Sequence, residues 1–64
     1  MPTTMIEGPK ISDVQTKRTL VKEITDALEK AYELPREVYV VLIKENPPEN
    51  VGVGGQLIVD KKKA

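Results

Sequence analysis

The sequence predicts an α+β fold: a β-α-β unit with parallel strands, a right-handed helical crossover and a short C-terminal hairpin. Three observations predict it. A stretch with helical periodicity lies between two stretches of strand-forming residues, a glycine-rich run follows the second of these, and all of it falls within 64 residues. Two strands of one sheet joined through a helix lie parallel, and such crossovers are right-handed.

Thr3 to Glu7 reads as the first strand, closed by Gly8-Pro9. Ser12-Asp13-Val14-Gln15 has the S-x-x-Q form of a capping box, which places Ser12 at the helix N-cap with its hydroxyl accepting from a free helical N–H. Leu20, Val21, Ile24, Ala27, Leu28, Ala31 and Tyr32 then recur at the spacing of one helical face, and Val14 begins the series. Pro35 disfavours helical geometry at Leu34, so the helix is expected over Asp13 to Glu33, roughly 30 Å of chain.

Val38 to Ile43 is the second strand, β-branched, aliphatic or aromatic at every position. It does not alternate: Val38, Val40 and Leu42 make one face apolar, and Tyr39, Val41 and Ile43 the other. Such a strand is covered on both sides. One helix covers one face, so the other is expected to meet a second subunit. Asn46 to Asn50 reads as a loop, Val51-Gly52-Val53-Gly54-Gly55 as a glycine turn, and Leu57 to Val59 as a short apolar run. Residues 1–64 are expected to form one domain, with 61–64 as a flexible tail.

Composition narrows the chemistry. With no His and no Cys, disulfide scaffolds, the usual zinc sites and His-based nucleophile systems are excluded. Ten basic and ten acidic residues cancel, so nothing favours nucleic acid or an anionic membrane as partner, and no apolar run has the length of a membrane span. A soluble, cytoplasmic chain without metal or cofactor is expected. Below about 70 to 80 residues a single core rarely supplies more than roughly 3 to 5 kcal/mol without a staple. Lacking disulfides, Trp and Phe, this chain is left with self-association.

The candidate base is Pro2. Once Met1 is removed, Pro2 presents a secondary amine, and α-amino groups titrate at about 7.7 to 8.0, nearer neutrality than any lysine. Apolar surroundings or a nearby cation lower that value further. Gly52 to Gly55 lacks the Lys-Ser/Thr of a phosphate loop and serves turn geometry instead. Glu7, Glu45 and Glu49 have no spacing that pairs them as acid and base.

Pro2, Gln15 to Leu20, Pro35, Val41 to Glu45 and Val51 to Gly55, taken in order, resemble the 4-oxalocrotonate tautomerase family, and Asn50 to Gly55 is similar to the same stretch of DmpI-like tautomerases. The resemblance implies β-α-β subunits that pair into a four-stranded sheet and assemble into a homo-oligomer, a dimer and then a hexamer. It also implies interconversion of enol and keto forms of a small 2-hydroxymuconate-like or phenylenolpyruvate-like acid, with the Pro2 amine as general base. The two arginines of that family fall on Ser12 and Val40, and its pocket aromatic falls on Val51. Lys10 is therefore the expected carboxylate-binding cation, ahead of Lys44 at a strand end, with Val51 and Val53 as the apolar wall. The alternative reading is a non-catalytic oligomeric binding or structural module that kept the fold.

Overall fold

The computed structural model describes residues 1–61. It has strand β1 (Thr3–Gly8), helix α1 (Val14–Tyr32), strand β2 (Val40–Glu45), the hairpin strands β3 (Gly52–Val53) and β4 (Gln56–Leu57), and a closing turn of helix, α2 (Ile58–Lys61). Strands β1 and β2 pair in parallel, from Thr3 opposite Val40 to Gly8 opposite Glu45. β3 and β4 form the antiparallel C-terminal hairpin, with Gly54 and Gly55 at its tip in the positive-φ conformation that glycine adopts without penalty. The β-α-β order, the parallel strands and the hairpin are as the sequence predicts.

Several boundaries differ, each for a local reason. The N-cap of α1 is Asp13, not Ser12. Asp13 has extended backbone geometry, its carboxylate accepts from the Gln15 N–H at 3.0 Å, and its second oxygen accepts from the Thr16 hydroxyl at 3.2 Å. Aspartate and serine cap equally well, so the side chains alone do not decide between neighbours. The helix ends at Tyr32 because Glu33 turns left-handed, at φ 55°, before Leu34-Pro35 is reached. Residues Arg36–Val38 form a single 3-10 turn, so β2 begins two residues later than expected and runs on to Glu45.

Tyr39 is consequently not a strand residue. Its hydroxyl accepts from the Leu34 N–H at 2.9 Å and donates to the Leu34 carbonyl at 3.0 Å, which satisfies backbone groups just beyond the helix. Arg36 bridges the same region to α1, pairing with Asp26 at 2.9 Å and with Glu29. The pairing raises the Arg36 pKa, chiefly through Asp26, and Asp26 is held below the usual carboxylate range, first by Lys22 and then by Arg36. Pro48–Asn50, expected as loop, is another 3-10 turn. The apolar run Leu57 to Val59 is divided between β4 and α2; Lys61 is helical, and the rest of the expected tail lies outside the described residues.

Helix α1 covers one face of the sheet. Thr4, Ile6, Val41 and Ile43 are half-buried beneath it, and Thr25, 8 % exposed, is the most deeply placed side chain on the helix. Leu20, Val21, Ile24 and Leu28 share that inner side, whereas Val14, Ala27, Ala31 and Tyr32 are exposed, so the periodic stripe is wider than the sheet it meets. On the other face Met5 and Leu42, paired in register, are 60 % and 46 % exposed. Among the described residues no apolar side chain is fully buried. The Cα radius of gyration is 15.4 Å, against about 11 Å for a compact chain of this length. The fold is a slab of 47 × 24 × 14 Å with an uncovered apolar side.

The cap assignment has a direct test. Asp13→Ala is expected to cost about 1 kcal/mol of stability, while Ser12→Ala changes little; urea denaturation of both variants at one protein concentration separates them.

Candidate functional site

In a parallel pair every strand presents its carboxyl end on the same side, and loops beyond those ends are where open α/β arrangements hold ligands. Here β1 and β2 deliver Gly8 and Glu45 side by side. The Asn46 N–H bonds the Gly8 carbonyl at 2.8 Å, and the Ile11 N–H bonds Glu45 Oε2 at 2.8 Å. Pro9 and Lys10 are thus tethered on both sides to the end of β2. Lys17 of α1 joins the same Glu45 oxygen at 3.0 Å. The Ile11 N–H first, and Lys17 second, hold the Glu45 carboxyl below the usual glutamate range.

Beyond these strand ends lies a groove of about 520 Å³, bounded by Glu7, Pro9, Asn46, Pro48, Val51 and Ile58. That size suits a small organic ligand. Its wall is largely apolar, and its two polar side chains are bonded to one another, Asn46 Nδ2 donating to Glu7 Oε1 at 3.1 Å. Val51 is fixed by its backbone, whose carbonyl accepts from the Ile58 N–H at 2.8 Å and so ties the hairpin closed behind the groove. Val53 lies on β3, 51 % exposed, and does not border the groove. Glu7 and Glu45 sit at neighbouring strand ends but at alternate positions of the pleat, opposite Lys44 and Gly8, so they do not form an acid–base pair.

Pro2 is elsewhere. It precedes β1 at the amino end of the sheet, half-buried, where its carbonyl accepts from the Val40 N–H at 3.0 Å. It lies one full length of the six-residue β1 away from Gly8, about 20 Å at roughly 3.3 Å per residue. Within one chain, therefore, Pro2 is not brought together with Lys10, Val51 or Val53, which all belong to the carboxyl end. With Met1 attached, the Pro2 nitrogen is an amide and carries no basic lone pair. Ser12, one of the two positions read against arginines, is exposed, and Val40, the other, is held in the first pair of the β1–β2 ladder.

A second groove, about 500 Å³, runs beside α1 between Val14 and Tyr39. Lys17, Lys22 and Arg36 on its border are all engaged in ion pairs. Sequence reasoning missed Asn46, Pro48 and Ile58 as groove residues because the first two were assigned to one loop and Ile58 to a short apolar run, and no spacing signals that these segments converge. Among the described residues no cluster of carboxylates could hold a metal ion, and no helix is long and apolar enough to cross a membrane.

Residues 2–61 match the family model described as Tautomerase enzyme. Comparison with curated proteins finds no match. Among solved structures, DmpI from Archaeoglobus fulgidus is 44 % identical with a TM-score of 0.81, over 92 % of this chain and all of that one (100 %). A 4-oxalocrotonate tautomerase isozyme structure from Methylibium petroleiphilum is 29 % identical, TM-score 0.78, over 91 % of this chain and 94 % of that one. TomN, a 4-oxalocrotonate tautomerase homologue of the tomaymycin biosynthetic pathway, shares the fold at 24 % identity and a TM-score of 0.88, over 98 % and 97 % of the two chains.

The strand-end tether makes stability depend on acid. A carboxylate whose pKa is lowered by folding contributes stability above the ordinary glutamate value of about 4.3, and that contribution is lost as pH falls through the folded value. Glu45→Gln is accordingly expected to be less stable than the parent at pH 7, with the difference shrinking as pH falls below that value; denaturant midpoints across pH at fixed protein concentration report it.

Proposed function

The chain belongs to the tautomerase family, and from that premise we propose that it interconverts the enol and keto forms of a small 2-hydroxymuconate-like or phenylenolpyruvate-like acid, with the Pro2 amine as general base after removal of Met1. The observation that carries this reading is the family match that starts at Pro2 itself and runs through the C-terminal hairpin. The chemistry requires one mobile proton. The amine nitrogen takes it from the enol hydroxyl, the oxygen becomes a carbonyl as the electron pair moves along the conjugated chain, and the resulting ammonium returns it to carbon. No net oxidation occurs and no cofactor is consumed.

Because Pro2 and the groove stand about 20 Å apart along β1, the proposed site is shared between copies: Pro2 from one, with Val51 of the groove and Lys10 of the adjoining loop from its neighbour. Lys10 would hold the substrate carboxylate as a point charge, without the fork an arginine provides. The uncovered Met5–Leu42 face supports association, in the dimer and hexamer that the family resemblance implies. The second reading, a non-catalytic oligomeric module, is favoured by the apolar and hydroxyl residues at positions 40 and 12, where no cation stands.

On the Met1-free chain, Pro2→Ala is expected to lower kcat/KM by roughly 10² to 10⁴, the range of one positioned general base, and equal rates would remove the proposal in favour of the module. Lys10→Ala is expected to raise KM more than it lowers kcat. Mixing Pro2→Ala and Lys10→Ala chains under subunit exchange restores activity when the two residues meet across an interface, whereas a site within one chain stays broken. Met5→Lys with Leu42→Glu is expected to lower the molar mass in sedimentation equilibrium to that of a smaller assembly.

A further inference from the structure

Among the described residues, one hydrogen bond holds Pro2 in place. Pro2 has no amide N–H to give, and its carbonyl accepts from the Val40 N–H at 3.0 Å. That N–H belongs to the planar peptide unit between Tyr39 and Val40, so its direction is set by rotation about the Cα–C bond of Tyr39, where ψ is 135°. Whatever fixes the backbone of Tyr39 therefore also fixes where Pro2 stands.

Tyr39 is fixed by three hydrogen bonds. Its N–H donates to the Arg36 carbonyl at 3.4 Å, and its hydroxyl accepts from the Leu34 N–H at 2.9 Å and donates to the Leu34 carbonyl at 3.0 Å. The turn closed in this way is joined to α1 through Arg36, which pairs with Asp26 at 2.9 Å and with Glu29. Leu34 is 44 % exposed, so its backbone groups have water within reach and do not need the hydroxyl for satisfaction alone. What the hydroxyl adds is a fixed loop geometry one residue before Val40. We propose that Tyr39 is a positioning residue for Pro2, acting through the Val40 N–H and touching neither the groove nor its wall. This role rests on the reading of Pro2 as base, and it falls on a residue to which the family resemblance assigns nothing.

The test is Tyr39→Phe on the Met1-free chain, which keeps the ring and removes the hydroxyl. Amide hydrogen exchange compares the Val40 N–H with the Asn46 N–H, which bonds the Gly8 carbonyl at 2.8 Å and closes the other end of the same strand pair. Val40 is expected to lose protection by roughly twofold to tenfold relative to Asn46, the range of one or two modest hydrogen bonds. With phenylenolpyruvate, kcat is expected to fall about tenfold or more with KM nearly constant, because a reacting group misplaced by about 1 Å costs on the order of 10² in rate. In a Pro2→Ala background the same change is expected to cost nothing further, since the residue it positions is gone. Tyr32→Phe, on the exposed tyrosine of α1, is expected to alter neither readout. Arg36→Gln loosens the turn from the helix side and is expected to act in the same direction, and it decides the matter where Tyr39→Phe fails to fold. Loss of protection at Val40 and Asn46 together, no loss at either, or an equal fall in kcat with and without Pro2 overturns the role. Selective loss at Val40 in a chain whose turnover is indifferent to Pro2→Ala sinks the reading of Pro2 as base and leaves Tyr39 as what holds it; Pro2-dependent turnover that Tyr39→Phe leaves intact sinks the positioning role alone.

Discussion

Everything in this molecule follows from one helix having to cover a sheet that is apolar on both sides. Strand β2 carries Val41 and Ile43 toward α1 and Leu42 away from it, and Met5 of β1 lies beside Leu42 on the outer face. A single helix removes one of these faces from water and leaves the other. In so short a chain the covered side yields only half-buried apolar residues, Ile6, Leu20, Ile24, Val41 and Ile43 among them. Hydrophobic stabilisation scales with apolar area withdrawn from water, so the isolated subunit has reached only part of what its sequence offers. Its extended outline is the same fact expressed as shape.

The parallel pairing has a second consequence, for chemistry rather than stability. Parallel strands sort the chain into an amino end and a carboxyl end, and whatever precedes β1 is separated by the full strand length from whatever follows it. Pro2 is at one end, and the Pro9–Lys10 loop and the Val51 turn are at the other. No side-chain rotamer spans about 20 Å. In the proposed mechanism the uncovered face and the divided site therefore answer each other: association that withdraws Met5 and Leu42 from water is also what supplies the missing half of the site.

How much of this could be read from the residues depends on the kind of signal each feature leaves. The strands, the helix and their parallel order were legible because periodicity and β-branching extend over many residues and tolerate local error. The unoccupied face was legible too, since β2 lacks alternation. The cap was not, because Ser12 and Asp13 are adjacent and equally suited, and only the folded backbone, extended at Asp13, shows which of them caps. Tyr39 was misassigned for the opposite reason: its propensity favours a strand, but its hydroxyl closes on Leu34 across a turn, and tertiary context outweighs propensity. The groove was only partly legible. Val51 carried a family position, whereas Asn46, Pro48 and Ile58 meet only once the turns are folded.

The same geometry constrains how the proposed base works. An amine is kept unprotonated in two ways, by a neighbouring cation or by loss of water around it. Where arginines would supply the first, this chain has Ser12 and Val40, and no cation is among the residues that line the groove. The second route then carries the effect. Val40, whose N–H fixes the Pro2 carbonyl, and the Val51 wall of a neighbouring copy are the groups that would exclude water from the nitrogen. Replacing charge by apolar surface in this way weakens the hold on anions and leaves basicity governed by packing.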